Sequence, residues 1–130
     1  MKKSLFIMIS LAIALFFVGT LEVNAQWCIN IDFDDSNCNC GTVTGITLEW
    51  ELTDNVTQTM ISSGSVGLTS TDPYLLCGDE SIDYDVQERY VFAARVTYYD
   101  PTKCCTGWNS ETYDGDELYN GNETLYIIMN

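Results

Sequence analysis

The stretch RYVFAARVTYY, Arg89 to Tyr99, reads as the longest strand of the chain. Tyr90, Phe92, Ala94, Val96 and Tyr98 share one side, and Val91, Ala93, Arg95, Thr97 and Tyr99 share the other. That is the period of two an extended backbone imposes. The second side is less polar than a face turned to water, so the strand is expected at the centre of a sheet or partly covered on both faces.

The same period recurs outward from this stretch. Trp27, Ile29, Ile31 and Phe33 alternate with Cys28, Asn30 and Asp32. Ile46, Leu48, Trp50 and Leu52 alternate with Thr47, Glu49 and Glu51. Weaker strands are read at Val56–Ser62, Ser65–Thr69, Tyr74–Cys77 and Trp108–Tyr113, and a last one at Thr124–Met129. Asp54-Asn55, Ser63-Gly64, Asp72-Pro73, Gly78-Asp79 and Asp100-Pro101 supply turn chemistry between them. Many short strands without helical spacing predict an all-β fold: a single antiparallel two-sheet β-sandwich, immunoglobulin-like in architecture and cross-linked by disulfides. Its expected core is Trp27, Ile29, Ile31, Ile46, Leu48, Trp50, Leu76, Tyr90, Phe92, Ala94, Val96, Leu125 and Ile127. The immunoglobulin family pattern itself fails, because Phe92 stands where a core cysteine would follow Tyr90.

Residues 1–25 read as a cleaved signal peptide. Lys2 and Lys3 precede an apolar run from Leu5 to Val18, and Val23-Asn24-Ala25 fits a signal-peptidase site. Residues 26–130 then form one domain, with no later run long enough to span a bilayer. Export places the protein outside the cell, at the cell surface or in a periplasm. The net charge is −14 over 130 residues, and cleavage removes two lysines against one glutamate. Such a field excludes nucleic acid as a default partner. There is no histidine, so the usual general base and metal ligand are missing, and the protein is read as a non-enzyme.

Six cysteines follow the leader: Cys28, Cys38, Cys40, Cys77, Cys104 and Cys105. In an exported chain of this size they predict three disulfides, with many connectivities open. Pairing the Cys38/Cys40 cluster with the Cys104/Cys105 cluster is geometrically attractive. The rival is a four-thiolate zinc site on those same residues, disfavoured by spacing and compartment.

Two acidic clusters, Asp32, Asp34, Asp35 and Asp114, Asp116, Glu117, are candidate calcium ligands. Neither is an EF-hand: Asn37 and Val43 occupy the positions that need glycine and glutamate. The second cluster lies in an internal echo, Tyr113-Asp-Gly-Asp-Glu against Tyr119-Asn-Gly-Asn-Glu, read as a compact loop. Glu49 and Glu51 have glycosidase-like carboxyl chemistry but read more simply as a solvated strand face. Asn55 and Asn122 begin glycan-acceptor triplets. Surplus tyrosine, at Tyr84, Tyr98, Tyr99, Tyr113, Tyr119 and Tyr126, cannot all be core and favours contact surfaces.

The expected function is a secreted structural or assembly domain, a protomer of an extracellular fibre or pilus-like structure. Its assembly strand would be Trp27, Ile29, Ile31 and Phe33, exchanged between subunits, so the expected partner is a second copy or a surface protein. The alternative is a secreted calcium- or glycan-binding module.

Overall fold

The computed structural model describes residues 26–130; the signal-peptide reading of 1–25 lies outside the described residues. The chain is mostly β, with strands β1 (Trp27–Asp34), β2 (Gly45–Asp54), β3 (Thr59–Leu68), β4 (Tyr74–Gly78), β5 (Glu88–Tyr99), β6 (Lys103–Asp114) and β7 (Thr124–Ile128). One short helix, α1 (Gly115–Asn120), stands between β6 and β7. The strands form a three-stranded sheet, β4-β1-β7, and a four-stranded sheet, β3-β2-β5-β6. As the alternation requires, β5 is internal: it pairs with β2 on one side and β6 on the other.

One buried cluster draws on both sheets. Trp27, Ile29, Ile31 and Phe33 of β1 meet Leu48 and Leu52 of β2, Phe92 and Val96 of β5, and Leu125 and Ile127 of β7. Each large apolar side chain fully buried there contributes about 1.5–3 kcal/mol. Trp50, expected in the core, is half-buried instead. It lies one strand from the sheet edge, and its indole covers Gly64 of β3; a Cβ there would stand 2.5 Å from the ring. This explains a second correction. Ser63-Gly64, read as a turn, sits inside β3 opposite Glu51 and Trp50, so the two weak strands predicted there are one. The glycine makes room for a ring and bends nothing.

The antiparallel expectation fails at one pairing. β1 and β7 run parallel, with Ile31 beside Leu125 and Phe33 beside Ile127. The loop expected around the echoed motif contains α1. Glu117 reaches back to accept from the Asp114 backbone N–H at 2.8 Å, and Gly121, at φ 68°, closes the helix by donating to Glu117. Only a residue that tolerates the left-handed region suits that cap.

All six cysteines are paired. Cys28–Cys77 crosses between β1 and β4, while Cys38–Cys105 and Cys40–Cys104 tie the segment after β1 to the start of β6. The cluster-to-cluster pairing is therefore realised, and no thiolate is left for zinc. These bridges fit an oxidising, extracellular setting. No helix among the described residues is long and apolar enough to cross a membrane.

Candidate functional site

The face of the four-stranded sheet turned away from the core carries a groove of about 500 Å³. Alternation and register build it. Glu49 and Glu51 project outward from β2 because Leu48 and Leu52 project inward. Register then sets Ser65 and Arg95 on either side of Glu49, with Trp108 beyond Arg95 on β6. The adjoining row is Ser63, Glu51 and Ala93. Glu49, Arg95 and Trp108 thus form one row, and the small side chains of Ser63, Ser65 and Ala93 beside it leave the space open.

Trp108 is two-thirds exposed, at 67%. Its isolation from the core is deliberate in the physical sense: its neighbours two residues away, Thr106 and Ser110, are polar, and the apolar side of β6 belongs to Cys105 and Tyr113. Among the described residues every ion pair runs through Arg89, so Arg95 stands in the groove without a carboxylate within 4 Å. The groove therefore offers one donor fork, two acceptors and one aromatic face.

Glu49 and Glu51 are exposed, as a solvated strand face requires, and the sequence alone did not mark Arg95 or Trp108 as their neighbours. A signal for Trp108 existed: it shares a strand period with Thr106, Ser110 and Thr112, a polar set in which a tryptophan is out of place. Nothing local could align it with Arg95 and Glu49, since only strand register does that.

Four of the candidate calcium ligands, Asp34, Asp35, Asp116 and Glu117, accept hydrogen bonds from groups nearby. Asp34 accepts from the Ser36 backbone at 2.9 Å, which holds its carboxyl below the usual range. Asp35 accepts from the Tyr98 hydroxyl at 2.9 Å, and burial together with that carboxylate pushes the phenol up. Asp116 accepts from Glu117 N–H, and Glu117 is engaged at the start of α1. Burial and the neighbouring Glu117 and Asp116 raise Asp114. Neither acidic cluster gathers three carboxylates at ligand spacing among the described residues; the one such grouping is Cys40, Asp100 and Cys104, whose sulfurs are bridged to each other. The proposed assembly strand lies at the centre of its sheet, hydrogen-bonded to β4 and β7 and bridged through Cys28 to Cys77. Asn55 and Asn122 are both exposed, as glycan acceptors must be. Of the surplus tyrosines, Tyr84, Tyr119 and Tyr126 are exposed, while Tyr98 and Tyr113 are buried.

The chain matches no protein-family model, no curated protein and no solved structure.

At the far end of β2 a different cluster holds the fold. Arg89 engages Asp54 with two nitrogens at 2.8 and 3.2 Å and reaches Asp83 at 2.7 Å. Asp54 also accepts from the backbone of Val56 and Thr57, so one carboxylate shapes the β2–β3 turn and pins β5. The Arg89 hydrogen bonds, aided by those backbone donors, lower its pKa to about 2. This cluster ties the β2–β3 turn to β5 and serves the architecture.

Proposed function

We propose that the protein is a secreted, non-enzymatic assembly domain whose subunits join through the open edge of the four-stranded sheet. The two sheets are read here as the layers of an immunoglobulin-like β-sandwich, a reading supported by the single buried cluster that both sheets feed.

The observation that carries the proposal is the composition of β3. It is an edge strand of ten residues, TMISSGSVGL, with no charge and no proline, in a chain of net charge −14. Exposed edges of that length are ordinarily blunted by lysine, proline or a bulge. Its one irregularity of register lies opposite Leu52 and Thr53, so Ser62 to Leu68 run unbroken. At the opposite edge, Thr106 of β6 and Asn130, just past β7, exchange backbone hydrogen bonds at 3.0 and 3.1 Å. In this reading the joining strand is β3 and not β1, whose hydrogen bonds are filled on both sides. A second copy of β3, laid antiparallel, would extend the sheet by main-chain bonds without bringing like charges together along the edge.

Sedimentation velocity of the oxidised protein over a range of concentrations tests this. The wild-type chain should associate reversibly, and Val66→Lys, a charge placed on the half-buried side of the edge, should hold it monomeric with its circular dichroism unchanged. A wild-type chain that stays monomeric throughout removes the proposal.

A further inference from the structure

The groove on the outer face carries an inference of its own, argued from its lining, although its Ser63–Ser65 wall lies on β3. We infer that it is a binding site for a neutral saccharide, with Trp108 as the stacking platform and Arg95, Glu49 and Glu51 as the hydrogen-bonding groups.

The chemistry of the lining selects this ligand class by elimination and by fit. An anion attracted to Arg95 would meet two carboxylates, Glu49 directly beside it in register and Glu51 in the adjoining row. A cation drawn to those carboxylates would meet the guanidinium, which has no carboxylate within 4 Å among the described residues. A neutral ligand with many hydroxyls avoids both penalties. Each hydroxyl donates to a carboxylate oxygen and accepts from a guanidinium N–H, so both kinds of group are satisfied by one sugar ring. The less polar C–H face of such a ring needs an apolar, flat partner, and the exposed indole of Trp108 supplies one.

Size and access agree. A groove of about 500 Å³ is within the range of small-ligand sites, and its Ser63 and Ser65 wall adds hydroxyls without bulk. Glu49, Glu51 and Arg95 stand on β2 and β5, which are paired on both sides, and Trp108 is set beside Arg95 by the β5–β6 pairing, so these groups are placed before any ligand arrives. Trp50 and Ala94 contribute to the floor, and the Trp50 ring packs over Gly64, which keeps the floor filled from beneath.

The test uses the oxidised protein with a panel of neutral tetrasaccharides: cellotetraose, maltotetraose, laminaritetraose, mannotetraose and chitotetraose. Tetragalacturonate and tetralysine serve as the anionic and cationic probes. Tryptophan fluorescence and calorimetry read the binding. At least one neutral probe should bind and shift the fluorescence, and Trp108→Ala should weaken that binding about tenfold or more. Trp108→Tyr should recover most of it, Arg95→Met should weaken it, and Tyr84→Ala, an exposed aromatic outside the groove, should leave it unchanged. Melting curves of the variants confirm that each is folded. No binding by any neutral probe up to ~10 mM overturns the inference. So does binding of only a charged probe, or binding that survives Trp108→Ala.

Discussion

The two ends of the four-stranded sheet are locked by different chemistry. Where β2 begins and β5 ends, Cys38–Cys105 and Cys40–Cys104 tie the segment after β1 to β6. Where β2 ends and β5 begins, Arg89 gathers Asp54, Asp83 and Asp85. The covalent end acts largely by restricting the unfolded chain, and it is indifferent to pH while it stays oxidised. The ionic end acts in the folded state and has to offset the desolvation of Asp54, which is buried. The contrast teaches that a small acidic domain can hold its core between two locks that fail under different conditions.

The largest effect should come from opening the covalent end completely. The two bridges are nested, with sequence separations of 67 and 64. Closing the first restricts a long loop and contributes about 4 kcal/mol; the second closes only the small ring left over and adds about 1.5 kcal/mol. Replacing all four cysteines by alanine should therefore cost about 6 kcal/mol in denaturant unfolding. If it costs no more than removing one bridge, the entropic account of this end is wrong.

Next comes the ionic end. Asp54→Asn should lower stability by about 2 kcal/mol at neutral pH. The sign follows from a carboxyl whose folded pKa, about 2, lies below its ordinary 3.8. Its stabilisation is complete above the ordinary value and is lost as pH falls through the folded one. The wild-type protein should accordingly weaken between about pH 4 and pH 2 through this group, and Asp54→Asn should flatten that part of the profile. Equal slopes for the two proteins would mean that Asp54 is not the acid-sensitive lock.

Removing a single bridge, Cys40→Ala with Cys104→Ala, should cost only about 1.5 kcal/mol, because the outer loop stays closed. The smallest effect belongs to Tyr98→Phe, which deletes one hydrogen bond to Asp35 beside the covalent end. About 1 kcal/mol, read from melting curves, is expected. A larger loss would show that this end depends on polar contacts as well as on its bridges.

Much of the fold was legible because alternation is a strong signal where one face is buried. β1, β2 and β5 were placed within a residue or two of their ends, and the predicted core residues are buried apart from Trp50. Trp50 has the right period but stands next to an edge, and period says nothing about distance from an edge. Strand direction was not legible either: the side-chain pattern of β7 is the same whether it runs with β1 or against it. Gly64 read as a turn because glycine usually marks one, and its true cause is a tryptophan far away in sequence. In the acidic loops, the backbone and tyrosine donors that Asp34, Asp35 and Asp116 accept from were not legible in the spacing. The groove was the least legible feature, since Glu49, Arg95 and Trp108 come from three strands and meet only through register.

The parallel pairing of β1 with β7 has a consequence for the chain as it is made. The first described strand cannot complete its ladder until Thr124–Ile128, close to the last residues of the sequence, have been synthesised. Leu125 and Ile127, which finish the core, arrive equally late. Meanwhile Cys28, Cys38 and Cys40 emerge first, and each has its native partner 49 to 67 residues downstream. Thiols oxidised in order of appearance would pair wrongly with one another and have to exchange before the native bridges form. Each native bridge thus waits for a strand far downstream of its first cysteine, β4 for Cys28 and β6 for Cys38 and Cys40.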